Sequence, residues 1–220
     1  MYMIIVGAGS VGSGVIALAA GEKNEVVVIE SNGDRAREVS REYDVVVLDA
    51  DATVGDTLRE AGADRADTLI VTTSDDAVNL MVVSMAAELG ITSVVSVVNE
   101  KDHASFFRRL GAIVMQNPEE VVAAHLYNTA RRPHVVDFVV LAEESELFRL
   151  ELKAKSPLVN RTVAQCVKEE RIPATLRIIG LSRDGKRALA ESDTKLKEGD
   201  LVTFYSIERV SNMLITKLIG

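Results

Sequence analysis

The chain has 220 residues, enough for one large domain or two modest ones, each able to bury a core of its own. Apolar residues make up 47% and charged ones 26%, a composition that excludes disorder and coiled coil and predicts a folded globular chain. With 25 Lys and Arg against 33 Asp and Glu the net charge is -8, so phosphate backbones and anionic lipid are repelled and nucleic acid is not an expected partner.

Short β-branched runs alternate with longer amphipathic stretches from the start to about residue 134. The runs predict strands at Met3 to Val6, Val26 to Glu30, Val45 to Leu48, Thr68 to Thr72, Ser93 to Val98 and Ile113 to Met115. Helices are predicted at Ser10 to Ala20, Asp34 to Glu42, Thr53 to Ala61 with Thr53 as its cap, Asp75 to Leu89, and Lys101 to Leu110. Unbroken apolar runs such as Val26-Val27-Val28-Ile29 mean strands covered on both faces, so the expected fold class is α/β, a Rossmann-like doubly wound parallel sheet. Asn117-Pro118-Glu119-Glu120 then reads as a cap, a first-turn proline and two acids that open a helix to about Thr129. Pro133 stops it, which places the domain boundary at 134.

Beyond that boundary, residues 135–220 predict a small α+β domain. Strands are expected at Val135 to Ala142, Phe148 to Leu152, Leu176 to Ser182 and Leu201 to Tyr205, and helices at Thr162 to Glu170 and Glu208 to Leu218. Turns fall at Arg183-Asp184-Gly185-Lys186 and Lys197-Glu198-Gly199-Asp200. No apolar run approaches the ~20 residues that cross a bilayer and no signal-peptide pattern opens the chain, so no direct membrane insertion is expected. A single cysteine, Cys166, fits a reducing cytoplasm.

Gly7-Ala8-Gly9-Ser10-Val11-Gly12 follows the first strand and opens the first helix. One glycine makes the tight turn, one lets backbone amides approach a pyrophosphate and one lets helix and strand pack closely, with the anion on the helix N-terminus. Glu30 closes the second strand, where a carboxylate accepts hydrogen bonds from an adenosine ribose and repels a 2'-phosphate, which argues against NADP. In a doubly wound sheet the ligand lies beyond the carboxyl ends of the strands. Those ends read Asp49-Ala50-Asp51-Ala52, Thr72-Thr73-Ser74-Asp75-Asp76 and Asn99, small and hydrogen-bonding residues suited to an adenine wall and a second phosphate or ring. Thr53 and Ser74 also read as caps of the following helices, and the two roles are compatible. The candidate nucleotide-binding residues are therefore Gly7, Ala8, Gly9, Ser10, Val11, Gly12, Glu30, Asp51, Ala52, Thr72, Thr73, Ser74 and Asn99.

No GxSxG, Walker, HExxH or CxxC signature occurs, and His103, His125 and His134 stand singly, so no catalytic or metal-ligating residue is nominated. Arg131 and Arg132 read either as an anion contact or as complements to a helix C-terminus. Leu80, Met81, Val82, Val83, Met85, Ala86 and Leu89 wrap much of one helix, which fits either a subunit interface or generous core filling. Val121, Val122 and Leu126 make the same case for the helix before the boundary.

These residues resemble the regulator-of-potassium-conductance (RCK/KTN) family of TrkA type. The resemblance rests on the glycine motif, Glu30, Asp49 to Thr53 running on to Leu58-Arg59-Glu60-Ala61-Gly62-Ala63, Thr73 to Asn79, and Arg109-Leu110-Gly111-Ala112. In the second domain it rests on Lys155-Ser156-Pro157-Leu158-Val159-Asn160-Arg161-Thr162 and Leu196 to Val202. It implies a non-catalytic sensor of NAD(H) or of an adenine nucleotide, ADP or ATP. It also implies a homo-oligomer, from dimer to tetramer or ring, on the cytoplasmic face of a membrane potassium-translocating subunit of TrkH or KtrB type. Within the family, the helix matching Asp75 to Leu89 helps build the assembly and that matching Glu119 to Thr129 docks on a neighbouring subunit. Two departures stand out: Val97 where some members carry a phosphate-reaching arginine, and Asn160 where glycine is common. The same fold also serves NAD-dependent oxidoreductases, and the same sensor can serve another cation channel or antiporter.

Overall fold

The buried apolar runs build a six-stranded, wholly parallel sheet in the order β3-β2-β1-β4-β5-β6. The strands are β1 (Tyr2–Val6), β2 (Glu25–Glu30), β3 (Val46–Asp49), β4 (Thr68–Val71), β5 (Val94–Val98) and β6 (Ile113–Gln116). The structure, a computed structural model, describes residues 1–141 and 144–220. Because side chains alternate along each strand, Ile5, Val26 and Val28 face one way, against Ile16 and Ala19 of α1 (Ser10–Gly21) and Val39 of α2 (Gly33–Glu42). Ile4, Val6, Val27, Ile29, Leu69 and Val71 face the other, against Leu58 of α3 (Thr57–Glu60), Val82 and Val83 of α4 (Asp76–Glu88) and Phe107 of α5 (Ala104–Arg109). Helices thus cover both faces, as the doubly wound reading requires.

Three helices of this sheet start differently from the expectation. The helix from Thr53 is broken by Gly55, which sits at φ +59, and the Asp51 carboxylate turns the chain by accepting from the Thr53 amide and hydroxyl. Only α3 remains. α4 is capped not by Ser74 but by Asp75, whose carboxylate accepts from the Ala77 and Val78 amides. The segment from Lys101 begins as a 3-10 turn, and the α-helix follows at Ala104.

The chain divides into two compact units, 1–122 and 123–220, a division that falls inside α6 (Pro118–Arg131). His125 explains this: its ring stacks on Phe138 with centroids 4.9 Å apart, which ties the last turns of α6 to the second unit. Asn117 does not cap α6. It turns the chain at φ +44, and its Oδ1 is buried without a hydrogen-bond partner.

The second unit holds an antiparallel sheet in the order β10-β9-β11-β8-β7. Its strands are β7 (Val135–Val140), β8 (Glu146–Glu151), β9 (Leu176–Arg183), β10 (Lys186–Leu189) and β11 (Leu201–Ser206). One face is buried, through Phe148, Leu150, Ile178, Val202 and Phe204, under α7 (Val163–Lys168) and α8 (Asn212–Ile219). The expected end of β7 at Ala142 lies outside the described residues. α7 opens on a reciprocal capping box between Thr162 and Gln165. Asn160 sits at φ +66, the left-handed region that asparagine tolerates. The last helix starts at a Ser211 cap, not at Glu208, because the Val210 backbone is held elsewhere: its amide donates to Glu146 and its carbonyl accepts from Arg132.

Candidate nucleotide-binding crevice

Strand order reverses between β1 and β4, so the chain leaves the sheet in opposite directions there and opens a crevice beyond their carboxyl ends. The glycine loop lines it. Gly7 stands at φ +91, and a Cβ there would meet the Thr73 side chain and backbone at 3.2 Å. Gly12 is stricter: a Cβ would fall 2.0 Å from the Gly7 carbonyl oxygen and 2.7 Å from the Thr72 hydroxyl, so only glycine lets α1 start so close to β1. Gly9 has open space beside it, room that a ligand can fill.

α1 differs from its neighbours in how it begins. Asn32 accepts from the Asp34 and Arg35 amides at the head of α2, and Asp75 does the same for α4. At the head of α1, Gly9 has no side chain to cap with and the first turn has no acidic residue. Its first amides therefore present their partial positive charge to whatever enters the crevice.

Glu30 ends β2 with its side chain 4% exposed. Oε2 accepts from the Ala8 amide of the glycine loop at 2.6 Å, and Oε1 accepts from the Asn32 amide at 2.7 Å and from Arg35 at 3.2 Å. The carboxylate braces the loop from below and stands at the crevice wall. The Thr72 hydroxyl bridges the same loop from the other side, donating between the Val6 and Gly7 carbonyls at 3.0 and 2.9 Å.

The structure thus brings Gly7 to Gly12, Glu30, Thr72 and Thr73 together, but it gives the other expected residues different work. The Ala8 and Ala52 side chains are buried in the packing on the two faces of the sheet, and the Ala8 amide is engaged by Glu30. Asp51 is exposed and bonded to Thr53, whose hydroxyl and amide hold its carboxyl below the ordinary carboxylate range. Ser74 is exposed, and Asn99 donates its amide and side chain to Asp76.

Two residues outside the expected binding set organise this side. Asn79 is fully buried within α4; its Nδ2 donates to the Thr73 and Val97 carbonyls, and its Oδ1 accepts from the Thr73 hydroxyl at 2.6 Å. Asp76 collects the Asn99 and Glu100 amides and His103 Nδ1, the last at 2.9 Å. Burial alone would raise the Asp76 carboxyl; these hydrogen bonds outweigh it and hold it low. An asparagine inside the otherwise apolar run Val78-Asn79-Leu80 was the available signal, since a buried amide must find partners. Arg132, read as an anion contact or a helix-end charge, is instead buried against Glu146, its Nη1 and Nη2 donating at 3.0 and 3.3 Å.

The family profile of the TrkA-N domain matches residues 3–118, the whole of this sheet and crevice. The chain belongs to the TrkA-N family. A TrkA-C domain matches residues 147–214 within the second unit. Among curated proteins, the Trk system potassium uptake protein TrkA homolog of Methanothermobacter thermautotrophicus is 26% identical over 92% of each chain. The Trk system potassium uptake protein TrkA of Vibrio alginolyticus is 27% identical over 99% of this chain and 49% of its own, so this chain spans about half of that relative. Among solved structures, the GsuK RCK domain is similar over 92% of this chain and 43% of its own, with 27% identity and a TM-score of 0.55. GsuK bound to ADP is 32% identical over 58% of this chain and 33% of its own, with a TM-score of 0.50. Among the described residues no helix is long and apolar enough to cross a membrane.

Proposed function

We propose that this chain is a regulatory subunit of a potassium-transport system that binds an adenine dinucleotide or nucleotide, NAD(H) or ADP, in the crevice above Gly7 to Gly12. The observation that carries this reading is the uncapped head of α1 beside an open Gly9, with the buried Glu30 carboxylate at the adenosine end. The resemblance to GsuK, solved with ADP at 32% identity, and to proteins named for Trk potassium uptake supports it. The family resemblance aligns Val97 with an arginine that in some members reaches a terminal phosphate, and without that cation ATP has less to distinguish it from ADP.

The role is binding without turnover. Nucleotide shifts the population between two arrangements of subunits by its differential affinity for them, a coupling of ~1–3 kcal/mol in typical systems, and a membrane potassium-translocating partner of TrkH or KtrB type reads the shift on its cytoplasmic face. Assembly of identical chains uses the exposed apolar side chains of α6, Val121, Val122, Leu126 and Tyr127, each about 60% exposed, and Met81 of α4.

Calorimetric titration with NAD, NADH, ADP and ATP tests the reading. Saturable heat is expected with wild type and none with Gly9→Asp, whose carboxylate would enter the open phosphate space while the fold persists. Silence of wild type toward all four at millimolar levels, or consumption of the cofactor, would overturn it.

A further inference from the structure

The ribose end of the crevice holds one group whose role the glycine motif does not explain. A carboxylate offers about four lone-pair directions, two on each oxygen. On Glu30, Oε1 already takes two donors, the Asn32 amide at 2.7 Å and Arg35 Nη2 at 3.2 Å, while Oε2 takes only the Ala8 amide at 2.6 Å. The two amides are backbone, fixed by the glycine loop and by the turn that opens α2. Arg35 is different: its side chain is half exposed and free to swing, whereas Glu30 is 4% exposed and cannot follow it.

A ribose presents neighbouring 2'- and 3'-hydroxyls, which bind a carboxylate best with one hydroxyl on each oxygen. Oε2 has a direction to spare. Oε1 has none until Arg35 leaves. We propose that Arg35 is a specificity-determining residue at this site: it competes with the free 2'-hydroxyl for Glu30 Oε1, and once displaced it offers its guanidinium to a 2'-phosphate. This rests on the nucleotide reading above and adds to it the group that sets the choice between 2'-hydroxyl and 2'-phosphate ligands.

The surrounding charges leave this task to Arg35. Arg37 is paired with Asp34 on the exposed side of α2, and Asp49 lies against Gly33, where an added Cβ would meet its Oδ2 at 2.8 Å. At the head of α2 the Asp34 and Arg35 amides already donate to Asn32 Oδ1, so they are not free to donate to a phosphate. A phosphate beside the buried Glu30 is repelled, and the forked donors of an arginine at the same place offset that repulsion as a lysine's point charge does less well. Glu30 therefore excludes the 2'-phosphate less completely than its charge alone implies.

The test is calorimetric affinity for ADP-ribose and for its 2'-phosphorylated form, measured on the full chain. Both ligands lack the nicotinamide, so only the ribose end differs. Arg35→Ala is expected to tighten or leave unchanged ADP-ribose and to weaken the 2'-phosphate form by about tenfold or more, the effect of losing a charge-assisted hydrogen bond. Arg35→Lys should fall between, and Glu30→Gln should move the ratio of the two affinities the opposite way. A ratio unchanged within twofold in Arg35→Ala, with wild-type binding intact, overturns the role of Arg35 alone. Absence of saturable ADP-ribose binding to wild type overturns the nucleotide reading and this one with it.

Discussion

The two units treat charge in opposite ways. In the first, the glycine crevice is walled largely by backbone: the Ala8 amide, the Gly7 carbonyl and the uncapped head of α1, with Glu30 and Thr72 bonded to that backbone. In the second, charged side chains meet one another inside the fold. Arg132 pairs with Glu146 and with the Val210 carbonyl, and Arg183 grips the fully buried Asp200 at 2.6 and 2.7 Å. Backbone dipoles held at a strand end keep free valence for a ligand, while a buried ion pair spends its carboxylate on its own cation. The contrast teaches where binding belongs: the head of α1 leaves backbone amides open at the crevice, while in the second unit the Arg132–Glu146 and Arg183–Asp200 pairs fix the 206–211 segment and the 197–200 turn.

The strongest way to break this contrast is to unpair a closed charge. Arg132→Ala leaves Glu146 buried beside the Val210 amide alone and should destabilise the protein by about 3–5 kcal/mol in denaturant titration. A loss under 1 kcal/mol would mean that the pair is not closed. Next comes the crevice floor. Gly12→Ala places a methyl against the Gly7 carbonyl and should lower stability by about 3 kcal/mol, the upper end for overpacking, because the obstacle is backbone. Gly9→Ala, with nothing within 4 Å of its Cβ position, should leave stability within about 1 kcal/mol of wild type.

A modest effect sharpens the contrast through pH. Burial pushes the Asp200 carboxyl up, but Arg183 and the Lys197 amide more than reverse this and hold it below the ordinary carboxylate range. A group lowered in the folded state stabilises it fully above the unfolded value near ~4, and that contribution fades as pH falls through the lower folded value. Asp200→Asn should cost about 1.5 kcal/mol at neutral pH and flatten the acid limb of the stability curve below about pH 4. An unchanged acid limb would show that the pair contributes nothing through its charge.

The crevice was legible because backbone geometry dictates its letters. Gly12 must be glycine whatever the ligand, and Glu30 follows from where β2 ends, so motif and spacing sufficed. What was not legible depends on distant partners or on a single torsion. Arg132 read as a helix-end charge because Glu146 lies 14 residues away, and the start of α8 was misplaced because that same pair holds Val210. One left-handed glycine, Gly55, shortened a helix whose capping letters looked complete. β10 is exposed along its whole length and so shows no alternation to detect.

The central claim, that the loop amides at the head of α1 grip a diphosphate, is most directly tested by following backbone amide resonances during an ADP titration. Saturable shifts concentrated at Ala8, Gly9, Ser10 and Val11, lost in Gly9→Asp, are the predicted result. Shifts confined to the second unit, or none at saturating ADP, would contradict it.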